Sequence, residues 1–97
     1  MKKTLIIDGN NFSDMDSFYD EIEDKFTTNL SWRIGRNLDA FNDLLMGGFN
    51  VFEYEENINV VWTSFSKSQE NIGKSKIDGL VEIISNHKHI EFKTDKA

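Results

Sequence analysis

Segments with the apolar pattern of β-strands alternate along the chain with segments that have the apolar spacing of α-helices. This order is the sequence feature that most restricts the fold. Residues 4 to 7, TLII, are a short β-rich apolar run that suits a fully buried strand. Residues 58 to 62, INVVW, are rich in β-branched and aromatic residues, as expected for a second buried strand. A third run, 89 to 94, alternates apolar with polar residues. Segments with helical spacing lie between the runs. This order predicts an α/β fold, a small three-stranded parallel β-sheet packed with three to four helices.

Three segments carry the helical period. We predict helices at about 17 to 26, 38 to 46 and 75 to 86, with Asp16 and Asn37 as capping residues of the first two. Gly47-Gly48 follows the second helix and favours a helix stop over a phosphate-binding loop. The apolar stripe of the second helix consists of Leu38, Phe41, Leu44 and Leu45.

The remaining segments have weaker patterns. Residues 27 to 36 lack either period and predict a loop, whereas 49 to 54 fit either a loop or an extra edge strand. Residues 66 to 73 are polar and fit a segment with a helical turn. With 97 residues, 38% hydrophobic content, no proline and no internal repeat, we expect a single domain over 1 to 97.

The charge of the chain limits its partners and surroundings. Asp and Glu number 17 against 11 Lys and Arg, a net charge of -6 that disfavours direct nucleic-acid binding and favours a basic protein as partner. Cysteine is absent, which excludes disulfides and thiolate metal sites and fits a reducing compartment. The first apolar run is too short for a secretion signal or a membrane span, so we expect a cytoplasmic protein without membrane contact.

The second predicted helix carries polar side chains opposite its leucines, at i, i+3, i+4 and i+7. We call this set the acidic strip; it consists of Asp39, Asn42, Asp43 and Met46. No lysine or arginine stands between Arg36 and Lys67. Asp39 gains from the helix dipole, whereas Asp43 faces its negative end and a like charge, at a cost of roughly several tenths of a kcal/mol. A solvated helix face is the simplest explanation, but a basic partner would explain the uncompensated charge.

Other chemistries have weaker support. Carboxyl groups about 5 Å apart serve as acid and nucleophile in glycosidases, but nothing on an exposed helix would raise the pKa of one of them. His87, His89 and Glu91 could bind a metal together only if all three lay on one face of a strand. We expect a boundary between a helix and a strand within this segment, which argues against such a site. The segment after Asp8 lacks the glycine and glutamate of a calcium loop. We therefore expect no enzymatic activity, metal or cofactor.

Residues 35 to 45, GRNLDAFNDLL, resemble the signature of the barstar family, intracellular inhibitors of ribonucleases, written G-x-N-x-D-A-(L/F)-x-D-x-L. Weaker similarity covers nearly the whole chain. The resemblance implies a three-stranded parallel sheet, no catalysis, and a binding face formed by the signature loop and second helix that plugs a ribonuclease active site. It also implies that Asp39 and Asp43 contact the enzyme, with Asp43 in place of an RNA phosphate.

The chain departs from the type member of this family at several positions. Arg33 and Ile34 replace aromatic residues, Arg36 replaces an acid and Asn42 a tryptophan, while Asn86 aligns loosely with a glutamate. The expected partner is therefore a different ribonuclease or nuclease toxin domain; an acidic module for a basic partner unrelated to nucleases is the alternative. We expect a protein that is monomeric when free, with a partner-binding surface made of Arg33, Ile34, Gly35, Asn37, Asp39, Asn42, Asp43, Met46 and Gly47.

Overall fold

The computed structural model describes residues 2–30 and 32–95. Three strands form one parallel sheet in the order β1-β2-β3. The predicted α/β fold with a three-stranded parallel sheet is confirmed, and the described ranges contain four helices. The elements in chain order are β1 (Lys3–Asp8), α1 (Met15–Phe26), α2 (Leu38–Met46), β2 (Ile58–Thr63), α3 (Phe65–Ile72), α4 (Lys74–Ser85) and β3 (Ile90–Thr94).

The core lies on one face of the sheet. Leu5 pairs with Val60, and Ile7 pairs with Trp62; all four side chains are buried. The intervening residue Ile6 is exposed. The prediction that residues 4 to 7 form a fully buried strand was therefore wrong, because alternate side chains point away from the core.

Trp62 occupies the centre of this core. Its ring stacks on Phe18 at a centroid distance of 5.6 Å and meets Phe12 and Phe65 edge-on. Its indole Nε1 donates a hydrogen bond of 3.0 Å to the buried Ser68 Oγ. The largest side chain of the core is thus packed by aromatic rings, and its polar group has a partner, as burial requires.

α1 begins earlier than predicted, with Asp14 rather than Asp16 as its capping residue. Asp14 Oδ1 accepts a hydrogen bond of 2.8 Å from the Ser17 backbone N–H, and Ser17 Oγ accepts one from the Asp14 N–H at 3.3 Å. Bonds from the Ser17 hydroxyl and backbone lower the pKa of Asp14. The apolar period starts at Phe18, one turn inside the helix, so periodicity alone misplaced the cap.

Residues 66 to 73 contain most of a helix rather than a single turn. The first amides of α3 are bound by Asp95: Oδ2 lies 2.6 Å from the Ser64 nitrogen and Oδ1 lies 3.2 Å from the Phe65 nitrogen. Ser64 has a φ of 51° and makes no side-chain cap of its own. The capping carboxylate follows β3, far along the chain, and no local sequence pattern marks the start of this helix.

Residues 49 to 54 form a loop and no strand. The Gly48 N–H donates to the Phe52 carbonyl at 2.8 Å, and the Glu55 N–H donates to the Met46 carbonyl at 2.7 Å, which ties the loop to the end of α2. Gly47 ends α2 with a φ of 94°, and a Cβ there would lie 2.5 Å from the Glu53 carbonyl oxygen. Only glycine fits this position.

Within the described ranges, each helix is too short or too polar to cross a membrane.

Candidate functional site

α2 presents its carboxylates to solvent, as the helical spacing predicts. Asn37 caps the helix, and its Oδ1 accepts a hydrogen bond of 2.8 Å from the Ala40 N–H, which confirms the predicted cap. Asp39 and Asp43 are exposed. The opposite face packs into the core through Phe41, Leu44 and Leu45.

Leu38 is 50% exposed, although the sequence placed it in the buried stripe. It is the first residue of α2 and borders an apolar depression together with Met15, Tyr19 and Leu80. The buried stripe is therefore shorter than predicted, because the helix start projects over the gap between α1 and α4.

Asp39 and Asp43 have no basic partner in the described part of the chain. The ion pairs within 4.0 Å all use other carboxylates. Glu56 belongs to the same lysine-free interval, yet it lies 3.4 Å from Lys3 Nζ, and the Glu53 backbone N–H and then this lysine lower its pKa. The fold thus brings no basic side chain of the described residues within 4.0 Å of the two aspartates. It does bring one to Glu56.

The arginines that flank the signature loop are held by α1. Arg33 Nε donates to Glu23 Oε1 at 2.9 Å, and Arg36 donates to the Asp20 carboxylate, which raises the pKa of Arg36. The Ile34 backbone N–H also donates to Glu23, at 2.9 Å. The acidic face of α1 therefore fixes the loop and compensates its cations. The carboxylates of α2 keep their charge uncompensated.

A shallow groove lies beside the acidic strip, and we call it the loop–helix groove. Trp32 at its rim is 56% exposed and meets Phe49 edge-on at a centroid distance of 6.3 Å. Sequence reasoning missed both aromatic residues, because they fall outside the motif and are separated along the chain. The groove is lined by Trp32, Ile34, Gly35, Asn37, Asp39, Ala40, Asp43 and Phe49.

Of the other predicted site residues, Arg33 is directed to α1, whereas Asn42, Met46 and Gly47 lie in the middle and at the end of α2. Asn42 Oδ1 accepts a hydrogen bond of 2.8 Å from His87 Nε2, so this exposed amide is tied to the turn after α4. Met46 is half-buried and borders a depression near His87 and Asn86. Gly47 is buried against Phe52 and offers no surface. The structure therefore brings five of the nine predicted residues, Ile34, Gly35, Asn37, Asp39 and Asp43, into one groove.

A second histidine, His89, also forms a polar contact with α2. His89 Nε2 donates to the Leu45 carbonyl at 2.8 Å, and the rings of His87 and His89 lie 5.5 Å apart. Partial burial, and then the neighbouring His89, lower the pKa of His87. Glu91, the third member of the metal site considered above, lies within 3.8 Å of Lys2 Nζ instead.

Comparison with known families identifies the family of the chain. A family model described as "Barstar (barnase inhibitor)" matches residues 2–94. The chain belongs to the barstar family. The resemblance noted at residues 35 to 45 is thereby confirmed, and the barstar match includes all three strands and all four helices of the described ranges. A search of curated proteins gave no match.

Membership of the barstar family associates the chain with inhibition of a ribonuclease rather than with catalysis. The loop–helix groove combines two exposed carboxylates with an exposed aromatic ring. Such a surface binds cations and planar apolar groups. Neither aspartate is desolvated in the manner of a general acid.

Proposed function

We propose that this protein is a non-enzymatic inhibitor that binds and blocks the basic active site of a ribonuclease or nuclease toxin domain. The observation that carries the proposal is the uncompensated pair Asp39 and Asp43, exposed on α2 beside arginines that α1 already neutralises. The partner supplies the missing cations. Membership of an inhibitor family supports the same conclusion.

The position of the two carboxylates explains how inhibition works. An active site that cleaves RNA binds a phosphate with basic residues, and a carboxylate presented on a rigid helix offers those residues a similar anion. Asp43 is the proposed phosphate mimic, and Asp39 pairs with cations nearer the rim. Blocking requires no chemistry by the inhibitor, because occupation of the site excludes RNA.

Other features of the proposal follow from charge and composition. A net charge of -6 draws the inhibitor to a basic protein and away from nucleic acid. An inhibitor of this kind acts in the cytoplasm as an immunity-type protein that protects the cell from a nuclease, and it is monomeric when free. The remaining residues of the surface are Arg33, Ile34, Gly35, Asn37, Asn42 and Met46, with Gly47 shaping the helix end.

The proposal is tested by RNA cleavage assays with a panel of purified ribonucleases and nuclease toxin domains that have basic active sites. At equimolar concentration the protein should suppress cleavage by at least one of them, without hydrolysing RNA itself. Asp43→Asn should relieve inhibition. Glu70→Gln, which removes one exposed charge from α3, is the matched control and should inhibit like the wild type.

Two results would contradict the proposal. Turnover of RNA by the protein alone, lost in Asp43→Asn, would make it an enzyme. Tight binding to a basic protein without any loss of RNA cleavage would instead favour an acidic interaction module for a partner unrelated to nucleases.

A further inference from the structure

The loop–helix groove combines two kinds of surface, carboxylates and an exposed aromatic ring. Asp39 and Asp43 line one part of it, and the exposed indole of Trp32 lines another, supported edge-on by Phe49. A group that fills the groove therefore meets both a carboxylate and an aromatic ring. Its chemistry has to satisfy both.

Most side chains satisfy only one of these surfaces. An apolar side chain would cover the ring but leave carboxylates desolvated and unpaired, which is costly. The ammonium of a lysine is compact and strongly hydrated, so it pairs with a carboxylate but gains less from a ring. An anion is repelled by Asp39 and Asp43. A guanidinium is planar and weakly hydrated, stacks on aromatic rings, and donates paired N–H groups to carboxylates.

The chain's own arginines do not meet this requirement. Arg33 donates to Glu23 and Asp20, and Arg36 donates to Asp20, so both guanidinium groups are directed to α1. Neither is among the residues that line the groove. The occupant has to come from another molecule.

We infer that Trp32 makes the loop–helix groove prefer an arginine over a lysine side chain of the partner, beyond the attraction of the two aspartates for any cation. The inference rests on the proposed function, since it names the group by which the basic partner is recognised. Asp39 and Asp43 supply the charge, and the indole supplies the preference for a planar cation. Trp32 is then a specificity residue outside the signature motif.

Two blocked peptides of equal length and charge test this directly, hexa-arginine and hexa-lysine. The probe is the pair of indole N–H signals in the ¹⁵N NMR spectrum of the full chain. Trp32 lies at the groove, whereas the Trp62 indole is buried and bonded to Ser68, so it serves as an internal reference. Hexa-arginine should shift the Trp32 signal, leave the Trp62 signal in place, and bind at least about threefold more tightly than hexa-lysine.

Substitutions test whether the indole ring of Trp32 causes the preference for arginine. Trp32→Ala should reduce hexa-arginine affinity to that of hexa-lysine, and Trp32→Phe should keep part of the difference. Tyr54→Ala removes another exposed aromatic side chain, 66% exposed and outside the groove, and should change neither affinity. Asp43→Asn should weaken both peptides. Because the Trp32 side chain is largely exposed, its truncation should leave the thermal unfolding curve unchanged.

Equal affinity for the two peptides, or a preference that survives Trp32→Ala, would overturn the inference. Failure of hexa-arginine to shift the Trp32 signal at millimolar concentration would do so as well. These outcomes are distinct from failure of the proposed function. If the protein selects hexa-arginine through Trp32 but inhibits no ribonuclease, the preference for arginine would stand and the proposed inhibitor function would be wrong.

Discussion

At the scale of single residues, the two aspartates of α2 have different relations to their own helix. Asp39 lies in the first turn, where free backbone amides and the helix dipole favour a carboxylate. Asp43 lies in the second half of the same helix and gains nothing from either. Only Asp39 should therefore contribute to folding.

The first prediction is that Asp39→Ala lowers the free energy of unfolding by about 0.3–1 kcal/mol, toward the lower end because the side chain is exposed. Asp39→Asn should lose less, since it removes the charge but keeps a polar side chain of the same size in the first turn. Urea unfolding measures both variants. A stability equal to wild type in Asp39→Ala would show that the helix start does not depend on this charge.

A second prediction concerns pH and His87, whose pKa lies below the ordinary value of 6.5 because of partial burial and then the neighbouring His89. The folded state therefore binds this proton less readily than the unfolded state. Stability should be fully present above the ordinary value and should fall as pH falls toward the lowered pKa. The surrounding depression also contains Glu55 and Lys88.

The variant His87→Gln tests this sign, because glutamine can still donate to Asn42 but does not titrate. Thermal unfolding from about pH 7.5 to about pH 5 should show a smaller loss of stability in the variant than in the wild type. The same loss in both proteins would assign the pH dependence to other groups.

At the scale of elements, sequence patterns located those parts that depend on local residues. The predicted α2, 38 to 46, matches Leu38–Met46, because Asn37 and Gly47 mark both ends within the sequence itself. Only a turn of α3 was predicted, because its cap, Asp95, is distant in sequence. Trp32 and Phe49 were missed for the same reason, since only folding brings them to one groove. These features depend on contacts between residues that are distant in sequence, and the spacing of apolar residues does not reveal such contacts.

The cap on α3 leads to a third prediction. Asp95→Ala should destabilise the protein and speed amide hydrogen exchange at Ser64 and Phe65, because their N–H groups lose their acceptor. These backbone bonds also hold the pKa of Asp95 below its ordinary value, so the contribution should disappear as pH falls through that lowered pKa. Asp24→Ala removes an exposed carboxylate from α1 and is the control. Faster exchange across the whole chain, without a local effect, would contradict the cap.

At the scale of the whole molecule, several cations pair with carboxylates of the chain itself, whereas the two aspartates of α2 stay unpaired. Arg33 and Arg36 bind α1, Lys25 binds the buried Glu21, and Lys3 binds Glu56. The excess negative charge stays partly on α2. A molecule of net charge -6 with this surface should be drawn to a basic partner before contact.

The fourth prediction is that association with the inhibited nuclease slows as salt rises. The on-rate should fall by about tenfold or more between roughly 20 mM and roughly 500 mM salt, while the dissociation rate changes less. Stopped-flow tryptophan fluorescence measures the on-rate. An on-rate that is independent of salt would indicate an apolar interface.

The most direct test of the central claim is the Asp43→Ala variant, measured by thermal unfolding and by affinity for the inhibited nuclease. We expect an unchanged or slightly higher unfolding temperature, because Asp43 contributes nothing to its helix. We also expect a loss of about 2–5 kcal/mol in binding, a magnitude known from charge pairs buried in other complexes, including barnase with barstar. A markedly lower unfolding temperature with undiminished binding would make Asp43 a structural residue and contradict its role as a phosphate mimic.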